Sequence, residues 1–190
     1  MKVNFLSILS LAAFATFFVA CDDQSESKIE TPLAKAIASG EISIDGKASV
    51  AKAGILQYST QPVTSATYFR HELGLVTDGF KTQYDESTGL ILQGEGTGIW
   101  ITLNAPSASL ATGTYSFTES QTSSGAFDFW FGSVDANGKK YRFTAGELTV
   151  KENSGMYNIT VNGTVTAVGS TEKKEISASY NGSLRTFKRK

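Results

Sequence analysis

The chain has 190 residues, 41% hydrophobic and 18% charged, with 17 Lys and Arg set against 18 Asp and Glu. That apolar content suits one globular core and excludes a wholly disordered chain, and the near-cancelling charge excludes a phosphate-tracking surface, so nucleic acid is not an expected partner. Three Pro and 18 Gly, with frequent Thr, Val, Ile and aromatics, point to strands linked by tight turns and hence to an all-β class.

In chain order, Lys2 supplies a short positive segment, Phe5 to Val19 an apolar stretch, and Ala20 a small residue before Cys21. This is the anatomy of an export signal over residues 1–20, too short for the roughly 20 apolar residues that span a bilayer. Phe18-Val19-Ala20-Cys21 resembles a bacterial lipobox, in which a peptidase cuts before a lipid-modified cysteine. The resemblance implies lipid attachment at Cys21 and a membrane partner held through that N-terminal anchor. Cys21 is the only cysteine, which excludes an intrachain disulfide and a Cys-based zinc site. Residues 21–40 then read as an acidic tether opening on Asp22-Asp23. They include a short helix over Thr31 to Ala38, with Thr31 as N-cap, Pro32 at the first helical position and Gly40 as the stop.

From Glu41 the period changes to two, the mark of side chains alternating across a strand, and residues 41–190 are expected to form one all-β domain. Ile42 and Ile44 precede Asp45-Gly46, a hairpin signal, and a strand follows over Lys47 to Tyr58. Thr67 to Thr77 places Phe69, His71, Leu73 and Leu75 on one face. Gly89 to Gln93 and Gly98 to Leu103 flank Gly94-Glu95-Gly96 as a further hairpin, with Ile99, Ile101 and Leu103 facing inward. Strands follow over Gly113 to Thr118 and Ala126 to Val134, the second placing Phe127, Phe129 and Phe131 together in the core. Asp135-Ala136-Asn137-Gly138 turns the chain into Tyr141-Arg142-Phe143. Leu148 and Val150, then Tyr157, Ile159 and Val161, then Ile176, Ala178 and Tyr180 complete a meander. Nine or ten such strands predict an antiparallel β-sandwich, with a small up-and-down, lipocalin-like β-barrel as the alternative.

Ile44-Asp45-Gly46-Lys47, Gly113-Thr114-Tyr115, Ala145-Gly146-Glu147-Leu148-Thr149-Val150 and Ser179-Tyr180-Asn181-Gly182-Ser183-Leu184 resemble small β-rich lipoproteins of Bacteroidota. The resemblance implies an anchored β-domain in the cell envelope, at the outer membrane, and implies no activity.

Catalytic signals are sparse. His71 is the sole histidine, which excludes two-His zinc geometry and reads as a structural strand residue, and no serine stands in a G-x-S-x-G elbow. Asp85-Glu86 and Asp135-x-Asn137-Gly138 lack the spacing of a calcium loop and read as turns. Asn158, Asn162 and Asn181 open N-x-S/T triplets that read as strand and turn residues. No cofactor or metal is expected. Alternation turns Trp100 and Trp130 away from the apolar face, with Asp128 two residues from Trp130. An indole beside a carboxylate suits a sugar, whose C–H face stacks while its hydroxyls donate hydrogen bonds. The reading is therefore a non-enzymatic envelope lipoprotein binding a glycan or an envelope protein through Trp100, Asp128 and Trp130. The alternatives are a carrier of a small apolar ligand and a carboxylate-dependent hydrolase.

Overall fold

The computed structural model describes residues 38–63, 66–85, 89–120 and 125–189. The export segment, Cys21, the acidic run and nearly all of the short helix expected at Thr31 to Ala38 lie outside them. The described chain is all-β: a large curled mixed sheet of 11 strands and a separate sheet of two. In chain order the strands are β1 (Ser39–Ile44), β2 (Lys47–Val50), β3 (Ala53–Pro62), β4 (Phe69–Val76), β5 (Phe80–Asp85), β6 (Gly89–Gly94), β7 (Thr97–Ala105), β8 (Gly113–Phe117), β9 (Asp128–Ala136), β10 (Lys139–Asn153), β11 (Met156–Ala167), β12 (Lys173–Gly182) and β13 (Leu184–Arg189). Across the large sheet they run β13-β3-β4-β7-β9-β8-β10-β11-β12-β1-β2, and β9 also pairs with β10.

The turn chemistry explains the hairpins. Asp45-Gly46 and Asn137-Gly138 all hold positive φ (53° and 75°, 50° and 81°), as two-residue loops matching the twist of their flanking strands require. The final meander follows its alternation: Leu148, Val150, Ile159, Val161, Ile176, Ala178 and Tyr180 are all buried. The main core joins them to Ile42, Leu73, Leu75, Ile99, Ile101, Leu103, Tyr115, Phe129 and Phe143. Phe129 packs edge-on against both Phe143 (5.7 Å) and Phe117 (5.4 Å), so rings fill the space between the walls.

Several expectations are corrected. The sheet is not purely antiparallel, because β13 pairs with β3 and β8 with β9 in parallel. The first parallel pair arises from chain continuity. β2 continues through Ala51-Lys52 into β3, and β12 through Ser183 into β13. These two runs flank β1 at one end of the sheet and pair with each other at the other, Leu184 opposite Gly54. Ala51 N–H donates to Gly40 C=O and Lys52 N–H to Val76 C=O, so a break falls inside the single strand expected over Lys47 to Tyr58. Nor do residues 89–93 and 98–103 form a hairpin. β6 pairs with β5 in the small sheet, while β7 pairs with β4 and β9. The chain leaves the large sheet after Val76 and returns at Thr97, a detour that the Gly94-Glu95-Gly96 signal does not distinguish from a turn between neighbours.

Strand β9 carries the most consequential correction. Thr102 faces Phe131 and Leu103 faces Phe129, which leaves Trp130 as an inserted bulge residue without a partner across β7. One extra residue reverses the alternation downstream. Phe129 is fully buried as expected, but Phe131 is 40% exposed on the outer face. Gly132 takes the inner position beneath the Phe143 ring, where a Cβ would sit 2.5 Å from Cδ2. Phe127 precedes the strand at φ 63° and stacks half-buried on Tyr115 at 5.2 Å.

Candidate functional site

The outer face of β4, β7 and β9 holds the residues singled out by sequence. Trp100 sits between Gly74 on β4 and Ser133 on β9. Its ring lies in the space over Gly74, where any Cβ would overlap the indole. It belongs to a second small cluster with Ala53, Ile55, Val76, Phe80 and Phe187. Phe80 opens the small sheet, so the β5–β6 detour contributes the ring that covers this part of the outer face.

Trp130 lies three residues along β9 from the partner of Trp100, about 10 Å at the usual strand rise. The Arg70 guanidinium stands 5.4 Å from its ring centroid, and the Phe131 ring lies 6.1 Å away, tilted by 53°. Such a cation over an indole face is an electrostatic contact worth about 0.5–2 kcal/mol, more as water is removed. Nε and Nη2 of Arg70 and Nε1 of Trp130 are buried, with no hydrogen-bond partner among the described residues. Asp128 faces Asn104 across the ladder, and its Oδ2 accepts the Gly125 N–H at 2.7 Å. An ionised carboxylate accepts several hydrogen bonds, so Asp128 retains acceptor capacity beyond that turn.

The structure thus brings Arg70, Trp130 and Phe131 together, leaves Asp128 two residues along β9 from Trp130 and facing Asn104, and places Trp100 apart from them in a packed cluster. Arg70 and Phe131 are the members that sequence reasoning missed. Arg70 was legible as an outward residue of β4, since it alternates with His71 and Phe69. Phe131 was not, because its exposure depends on the bulge.

His71 is fully buried. Its Nδ1 accepts the Ser59 N–H at 3.3 Å, and its Nε2 lies 3.2 Å from the Ser107 carbonyl, an arrangement that requires a neutral ring protonated at Nε2. Burial pushes its pKa below the ordinary value, the backbone carbonyls opposing in part. A histidine so enclosed ties β4 to Ser59 on β3 and to Ser107 after β7. Burial likewise pushes the Tyr115 hydroxyl up to about 12, and it donates to Ala111 C=O at 2.9 Å. Among the described residues no three His, Cys, Asp or Glu side chains gather as a metal site.

A concavity of about 330 Å³ opens beside the β1–β2 and β9–β10 turns, lined by Asp45, Lys47, Ala136, Asn137 and Lys139 together with Thr97, Tyr141 and Lys174. No family model, no curated protein and no solved structure matches this chain.

Proposed function

We propose that the chain is a lipoprotein of the bacterial envelope, anchored through Cys21, whose β-domain binds an envelope component without catalysing a reaction. A glycan is the component whose chemistry fits best. The observation that carries this is the group Arg70, Trp130 and Phe131 on the outer face, two aromatic rings beside a guanidinium, with Asp128 two residues along the same strand. Rings supply stacking surface at little conformational cost, and the Asp128 carboxylate has acceptor capacity for sugar hydroxyls. Phe131, 40% exposed beside the half-buried Trp130, is the ring of this group open to a ligand.

A barrel reading of the curl is favoured over a sandwich. Its support is the pair of continuous runs, 47–62 and 173–189, that flank β1 at one end and meet each other at the other. The rings packed inside argue for a filled core and against a large apolar cargo there, so a surface role is preferred to that of an internal carrier.

The test is retention on immobilised envelope polysaccharides of the mature full chain in nonionic detergent. Trp130→Ala and Phe131→Ala should each lower retention about tenfold or more while the fold survives. Retention unchanged in both variants, or none for wild type across polysaccharides and envelope extracts alike, would remove the proposal.

A further inference from the structure

Lys47, Lys139 and Lys174 come from three different strands, yet all three stand on the inner face of the sheet. Register places them there. Lys47 faces Ile44 across β1 and β2, Lys139 faces Ala136 across β9 and β10, and Lys174 faces Val165 across β11 and β12. Ile44 and Val165 are core residues, and Ala136 packs against the core. Each lysine therefore occupies a position where the strand's alternation would ordinarily put an apolar side chain. Together they ring the 330 Å³ cleft, whose inner wall is Ile44, Ala136 and the buried ring of Tyr141, with Ser49, Thr97 and Asn137 between. That volume is at the small end of the range for small-molecule sites.

The charges are unevenly satisfied. Lys174 is pinned by Asp45 at 2.9 Å and Glu172 at 3.4 Å. Lys47 and Lys139 are exposed, and neither makes an ion pair among the described residues. The lining carries three lysines against a single aspartate, Asp45, so the mouth is net positive, with Lys47 coming from β2 and Lys139 from β10. The mouth also lies at the far end of β1 from Ala38, about six residues or 20 Å from where the chain enters the domain.

We propose that this cleft is a binding site for a small organic anion with an apolar body, its carboxylate or sulfonate held between Lys47 and Lys139 and its hydrocarbon against Ile44, Ala136 and Tyr141. The site lies on the inner face and is independent of the outward group around Trp130. An apolar wall alone would accept neutral molecules, and lysines alone would accept any small anion. The combination selects for both properties, because removing either the charge or the hydrocarbon forfeits one set of contacts.

Calorimetric titration of the mature full chain in nonionic detergent, with a micelle-only baseline, tests this. The probes are 4-phenylbutyrate, the neutral 4-phenyl-1-butanol and inorganic sulfate. Saturable binding of 4-phenylbutyrate is expected, at least tenfold tighter than either of the others. It should weaken at least tenfold in Lys47→Gln/Lys139→Gln, whose thermal midpoint should stay near wild type because both side chains are exposed, and should be unchanged in Trp130→Ala. Absence of saturable 4-phenylbutyrate binding, equal affinity in the double lysine variant, or equal affinity for the alcohol or for sulfate would each overturn the proposal.

Discussion

The indole of Trp100 fills the space above Gly74 on the neighbouring strand, leaving no room for a Cβ there. Glycine is otherwise a poor strand residue, weakening it by entropy and the loss of a packing side chain, so the ring explains its presence. Gly74→Ala should cost about 1–3 kcal/mol, as overpacking does. In a Trp100→Ala background the same change should be neutral or stabilising. Urea denaturation of the four proteins of that cycle measures the coupling, and additive effects would contradict the packing described.

The bulge at Trp130 predicts opposite sensitivities two residues apart. Phe129→Ala should lose about 3–5 kcal/mol, as truncation of a buried ring does, and Phe131→Ala less than about 1 kcal/mol. Similar losses in the two variants would restore an uninterrupted alternation from Phe127 to Phe131.

A matching contrast holds in the final meander. Ile159 is fully buried, whereas Thr160 lies on the outer face between Thr149 and Ser179. Ile159→Ala should cost about 2–5 kcal/mol and Thr160→Ala within about 0.5 kcal/mol of zero, read from thermal or urea midpoints.

His71 gives the domain a defined pH response. Its folded-state pKa is lowered from 6.5, chiefly by burial, so the native state resists a proton that the unfolded chain accepts. The sign follows: its contribution is fully present above pH 6.5 and is lost as pH falls from there toward the depressed folded value. The His71 contribution should be level above pH 7 and decline as pH falls below 6.5. In His71→Gln that decline should be shallower on a lower baseline. An equal slope in the variant would assign the response elsewhere.

The anchor is tested by Cys21→Ala. Each buried CH₂ of an acyl chain contributes about 0.8 kcal/mol, so two chains hold a protein to a membrane through extensive washing. The variant should lose its lipid label and pass to the soluble fraction after a detergent-free high-salt wash. Retention with the membranes would mean that another segment holds the chain there.

How far the fold was legible follows from these cases. Period-two alternation identified the meander from Leu148 to Tyr180 because each strand there has one wet face and one core face, and Asp45-Gly46 and Asn137-Gly138 fixed two hairpins by backbone chemistry. The small sheet was half missed. Phe80–Asp85 alternates Lys81 and Gln83 with aromatic and small residues and carries no strong apolar stripe. Long-range partners were illegible in principle, since periodicity says which way a side chain points and nothing about which strand lies beside it. The parallel pairing of β13 with β3, far apart in sequence, is of that kind. Within the candidate site, Trp130 and Asp128 were reached from composition and alternation. Phe131 was lost to a bulge whose only local cue was Gly132, and Trp100 was placed on the correct face without any sign that Phe80 would pack beside it.

The central claim, that the outward group around Trp130 meets an envelope glycan, is tested most directly by a protein carrying Trp130 as its only tryptophan. In Trp100→Phe the indole emission reports that site alone. Addition of the polysaccharide that retains the wild-type chain should shift or quench the emission saturably and protect it from acrylamide, and Arg70→Gln should weaken the response about tenfold, consistent with a guanidinium 5.4 Å from the ring. A protein that binds the polysaccharide while Trp130 emission and quenching stay unchanged at saturation would place the binding surface elsewhere and contradict the account.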